Sequence, residues 1–140
     1  VATIKLKGLA PLMNAFTAAG KDAPRFAARA LYEEAQEAFV LSQALVPVDM
    51  GVLRASGQVH FPVMSGTKAM VMITYGGAAA SYAIYVHEIP PNSGGRWGKG
   101  NKHAPPTRYK YLEYPVKRYS KDMAARMTAR VLNMLNRRFT

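Results

Sequence analysis

The chain has 140 residues, 49% of them apolar, enough for one globular domain (residues 1–140) with a buried core. It has no cysteine, which excludes a disulfide framework and a thiolate metal site, and no apolar run nears the ~20 residues of a membrane span. The net charge of +11 is lopsided, because twelve basic residues against two acids from Arg96 onward carry +10 of it. Such a one-sided field favours nucleic acid or an acidic protein surface, against the plainer alternative of a solvated basic helix face.

Residues 3–7 alternate and suit a short first strand. They show no signal-peptide layout, so cytosolic synthesis is expected. Residues 8–19 read as a helix with Leu9, Leu12, Met13 and Phe16 on one stripe, ended by Gly20. Asp22 offers an N-cap and Pro24 suits a first turn, so a second helix should run over residues 23–44. Ala27, Leu31, Ala35, Ala38, Leu41 and Leu45 give it an apolar face, and Glu33, Glu34 and Glu37 mark the wet side.

The helical pattern stops at Pro47, which lacks an N–H and pushes Val46 toward an extended conformation. Asp49 can cap a new short turn, and Gly51 permits a backbone angle that other residues resist. This segment reads as a corner between two layers. Residues 58–64 and 69–75 then form a hairpin around Ser65-Gly66-Thr67, and Pro62 implies an edge position or a bulge in the first arm. Gly76-Gly77 ends the hairpin, and residues 81–88 read as a third strand. Residues 89–107 hold too many glycines and prolines for regular structure and form a long basic loop. From residue 111 to 137 a helix is expected, with Val116, Tyr119, Met123, Met127, Val131, Met134 and Leu135 on one face. The fold class is therefore α+β: an antiparallel sheet of about three to four strands against two long helices, with an extended loop.

Catalytic and metal chemistry find little support. No His-x-x-x-His or Glu-x-x-His spacing occurs, no serine sits in a nucleophile elbow, and the glycine-rich loop lacks a Walker pattern. No cofactor, metal or enzymatic activity is expected. His87 and Glu88, as neighbours on a strand, would point to opposite faces, and a structural role suits His87 better than a catalytic one. In the loop, Arg96, Trp97, Lys99 and Lys102 combine base-stacking and phosphate-binding residue types, but Trp and Arg also dominate protein interfaces, and a contact with a neighbouring subunit is preferred. Lys117, Arg118 and Lys121 are DNA-facing candidates whose contacts would be backbone-directed and salt-sensitive. The eight methionines read first as adaptable core packing.

The order of motifs resembles one family. The alanine-rich helix, then Val46-Pro47-Val48-Asp49-Met50-Gly51-Val52-Leu53-Arg54-Ala55-Ser56, then Tyr82-Ala83-Ile84-Tyr85-Val86-His87-Glu88, then Tyr109-Lys110-Tyr111-Leu112-Glu113-Tyr114-Pro115-Val116 is similar to the neck and tail-completion proteins of tailed bacteriophages, often labelled minor capsid or head–tail joining proteins. Pro47, Asp49, Gly51, Arg54, Ser56, His87 and Glu88 are the motif positions, and Met50 departs from the small hydroxyl residue usual there. The resemblance implies a non-enzymatic virion component assembled in the host cytoplasm. It implies a homo-oligomeric ring, a hexamer with a dodecamer as alternative, between connector or stopper proteins and tail-terminator or tail-tube proteins, around packaged DNA and away from any membrane. The alternatives are a basic nucleic-acid-binding protein and a head-decoration protein.

Overall fold

The computed structural model describes residues 7–47, 51–65, 68–88 and 108–138. The expected strand at 3–7, the basic loop at 89–107, Val48, Asp49 and Met50 thus lie, wholly or almost wholly, outside the described residues. The described chain is α+β and holds six helices, α1 (Leu9–Ala19), α2 (Ala23–Leu45), α3 (Val52–Ala55), α4 (Ala83–Glu88), α5 (Glu113–Ser120) and α6 (Met123–Arg138). Four short strands, β1 (Gln58–Val59), β2 (Val63–Ser65), β3 (Lys68–Met70) and β4 (Ile73–Thr74), complete it.

Helices α1, α2 and α6 share one core, in which Leu12, Ala15, Ala19, Phe26, Ala30, Ala124, Met127, Val131 and Leu135 are buried together. Small residues at the contact let helix axes approach closely, which is what the alanine content provides. The stripe of α1 is rotated from expectation: Leu12 is buried, but Leu9 and Met13 are exposed and Ala15 and Ala19 take the inner positions. Gly20, at φ 58°, turns its N–H back onto the Phe16 and Thr17 carbonyls and ends α1. Asp22 does not cap α2 with its side chain; its carboxylate instead meets Arg138 at 2.6 Å and Arg25 at 3.3 Å.

Helices α2 and α6 run antiparallel and are laced by charge. Glu34, expected on the wet side, is only 3% exposed and accepts from Arg126 Nε at 2.9 and 3.0 Å. Arg130 reaches Glu33 at 2.9 Å and also contacts Glu37. A buried carboxylate is tolerable only when paired, and α6 supplies the pair.

The expected C-terminal helix is two helices, α5 and α6, broken at Lys121 and Asp122. Ser120 bonds its hydroxyl back to the Lys117 carbonyl at 2.7 Å, and Arg126 donates to the Tyr119 carbonyl freed at the break. The hairpin forms as an interrupted antiparallel ribbon: β1 pairs with β4 as Gln58↔Thr74 and Val59↔Ile73, and β2 pairs with β3 as Val63↔Met70 and Ser65↔Lys68. Three residues, 60–62, face two, 71–72, so the first arm carries a one-residue bulge at the position of Pro62. Phe61 uses the bulge to stack on Tyr32 of α2 with ring centroids 5.6 Å apart.

Residues 81–88 are not a strand. A 3-10 turn, Ala78–Ala80, leads into α4. Ala80 and Ala83 are buried while Ile84 is 64% exposed, so the burial period is three to four rather than two. Tertiary packing of the small residues overrides the strand preference of the β-branched and aromatic ones. The sheet therefore has fewer strands in register than expected, two small two-stranded pieces instead of one sheet of three or four.

Candidate assembly site at the corner

Leu45 and Val46 from the end of α2, Leu53 from α3, Ala80 and Ala83 from the approach to α4, and Tyr111 from the entry to α5 are buried together, with Leu41, Tyr75, Tyr82, Val86, Leu112 and Tyr114 against them. Three stretches far apart in sequence meet here, and each loose end is tied by a specific bond. Pro47 stops α2, and the carbonyls left over at its C-terminus take donors from elsewhere: Arg108 N–H reaches the Leu45 carbonyl at 2.9 Å, and Arg54 Nη2 reaches the Val46 carbonyl at 2.9 Å. Gly51, at φ 77°, opens α3 in the left-handed region that glycine favours. Ser56 accepts from Gly76 N–H at 2.9 Å while donating to the Leu53 carbonyl at 2.6 Å, which pins the far end of the ribbon to the corner.

Tyr75 and Tyr111 form the centre. Tyr75 hydroxyl lies 2.9 Å from Ser42 and accepts from Gln43 at 3.0 Å, and burial pushes its phenol up. Tyr111 is 1% exposed, donates to the Ala83 carbonyl at 3.0 Å and meets the Tyr75 ring edge-on at 5.2 Å. Burial drives its phenol well above the ordinary range. Gly57, which sequence reasoning did not single out, sits against Phe39, Gln43 and Tyr75; a Cβ there would come within 2.7 Å of the Tyr75 ring and 2.9 Å of the Phe39 ring. A glycine just past a serine cap was the available signal.

His87 and Glu88 lie on the same side, joined by a 2.7 Å bond from the imidazole Nδ1 to the carboxylate. This corrects the strand expectation of opposite faces, and the helical geometry of α4 is the reason. His87 Nε2 accepts the Glu113 N–H at 3.3 Å, so Nδ1 carries the hydrogen and donates to Glu88. The imidazole thus caps the first turn of α5 from another element, with its ring edge-on to Tyr111 at 4.9 Å. Lys110, at φ 57°, donates its backbone N–H to the His87 carbonyl and bridges Glu88 at 2.5 Å and Glu113 at 2.9 Å. Lys117 extends the chain of charges to Glu113 at 2.6 Å. These lysines hold the Glu113 carboxyl down to about 2, Lys117 contributing most, and Lys110 followed by His87 lowers Glu88. Both ring nitrogens of His87 are thereby committed to protein groups.

Pro47, Gly51, Arg54, Ser56, His87 and Glu88 are thus gathered at one corner, and Asp49 lies outside the described residues. Arg96, Trp97, Lys99 and Lys102 also lie outside them. Lys117, Arg118 and Lys121 are exposed on α5 and the turn after it. Among the described residues no cluster of three metal-ligating side chains occurs, and no helix is long and apolar enough to cross a membrane. No protein-family model, no curated protein and no solved structure matches the chain.

Proposed function

We propose that this chain is a structural subunit of a tailed bacteriophage, forming a homo-oligomeric ring at the head–tail junction between connector and tail. The observation that carries this reading is the convergence of the three motif strings on one corner. Arg54, Ser56, His87 and Tyr111 each bond a backbone group of another segment, which supports the reading of a rigid joint. A ring repeats one interface, so each subunit must be a stiff wedge carrying two unlike contact surfaces. The stiff part is the α1–α2–α6 core, tied through the corner to an exposed apolar ribbon in which Val63, Met70 and Met72 face outward.

Electron microscopy of the virions that carry the protein tests this reading. A closed ring of copies at the junction of head and tail is expected, and virions with no copy there end the proposal.

A second reading, contact with the DNA backbone, draws on the exposed trio Lys117, Arg118 and Lys121. Replacing all three with Gln should weaken DNA binding and flatten its salt dependence by about three charges; unchanged affinity would remove DNA from that face.

A further inference from the structure

Within the described residues the ribbon has two free edges, and they differ. Among the described residues β4 pairs only with β1, and β3 only with β2. His60 N–H donates to the Met72 carbonyl at 2.8 Å, so in an antiparallel ladder Met72 and Thr74 turn their backbone groups inward. Ile73, between them, turns its N–H and C=O outward. That outward edge borders an apolar groove of about 300 Å³. Val71 and Ile73 form one wall, Val116 and Tyr119 of α5 the other, and Ala35 and Ala38 of α2 the floor. An unpaired strand edge beside an apolar groove is a template for one more extended strand, which would satisfy its backbone groups and fill the groove with alternate side chains.

The opposite edge belongs to β1 and β2 and carries apolar side chains at the surface, Val63 at 54% and Met64 at 42% exposure. Val63 shares the outer face of the ribbon with its partner Met70, itself 52% exposed, and Met64 lies on the inner face, the face Ile73 uses. Placed alongside Val71 and Ile73, such a strand would put a methionine into the groove and extend the outer apolar face beyond Met70 and Met72. We infer that the β1–β2 edge of one copy docks on the β3–β4 edge of the next, with Met64 seated in the groove. The contact is heterologous, so it repeats head to tail, and it rests on the ring reading above. The bulge at residues 60–62 shortens the donating edge, and Pro62 removes a donor from it. Each contact alone is therefore weak, and closure supplies the stability.

The chain has no cysteine, so introduced ones report neighbours directly. Full-length Ser65→Cys and Val71→Cys proteins are mixed and treated with a short bismaleimide, with Asn14→Cys on the outer face of α1 as control and helix content checked by circular dichroism. The mixture should give covalent dimer well above the control, and the double variant should give a ladder of multimers. Ile73→Asp in the Val71→Cys chain should cut the yield roughly tenfold, the scale of keeping one apolar side chain from being buried. Control-level yield overturns the inference, as does equal product from Val71→Cys alone, which would mean that like edges meet. Loss of product on Ile4→Asp would assign the groove to the N-terminal segment and overturn it too. Rings seen with control-level cross-linking would leave the ring reading standing and remove this contact; the cross-link without any ring would do the reverse.

Discussion

Glu34 shows how one residue can invert a pattern. Its neighbours Glu33 and Glu37 sit toward solvent, and period alone put all three there. The structure buries Glu34 because Arg126, 92 positions later, arrives to pair with it. No local signal encodes a partner that distant. Glu34→Ala should destabilise the fold by about 2–4 kcal/mol in urea denaturation, because the partly buried Arg126 loses its carboxylate partner. Gly57→Ala should cost about 2–3 kcal/mol by the same measurement, through overpacking against Phe39 and Tyr75. The acids at the corner make stability depend on pH. Glu113 is held down to about 2 from an ordinary 4.5, and Glu88 is also lowered. A depressed carboxyl contributes stability that is present above its unfolded value and lost as pH falls through its folded value. The denaturation midpoint should therefore drop between pH 4.5 and 2, and Glu113→Gln should blunt that drop. Both groups are at the surface, so the effect is modest and salt should shrink it.

At the scale of elements, helices were legible wherever period and breakers agreed. Gly20 ends α1, Pro47 ends α2, and residues 23–44 were read within one residue of the observed Ala23–Leu45. The hairpin and the irregularity at Pro62 were legible too, because proline in a paired arm leaves few alternatives. Residues 81–88 were not, since Ile84, Val86 and the tyrosines carry strand preference while the deciding force is the seating of Ala80 and Ala83 beside Tyr111. The break between α5 and α6 was hidden because apolar spacing continues across it; only Ser120 and Asp122 mark it. The corner was read from Pro47 and Gly51, but the tyrosine pair and the His87 cap at its centre are long-range facts. Hydrogen exchange should rank the elements accordingly. Amides of α2 and α6 should exchange slowest and those of β1–β4 fastest in the isolated chain. The ribbon should gain protection on assembly, and a ribbon already as protected as α2 would contradict a docking edge.

Over the whole molecule, the +11 charge is less free than its count suggests. Arg126, Arg130 and Arg138 are tied to acids of α2 and the turn before it, and Lys110 and Lys117 to Glu88 and Glu113. Part of the basic tail is thus internal mortar, and the field left for a partner comes from exposed side chains such as Arg118 and Lys121. In the proposed ring, the stiff helical core and tied corner would be the wedge that repeats, and the exposed apolar ribbon with its unlike edges the contact between copies. The most direct measurement of the proposed ring is the native mass of the full-length protein, alone and mixed with candidate phage connector and tail proteins. A single closed species of six or twelve copies, formed alone or only on those partners, is the predicted result for a ring at that junction. A monomer mass under both conditions, at concentrations well above those of assembly, would contradict it.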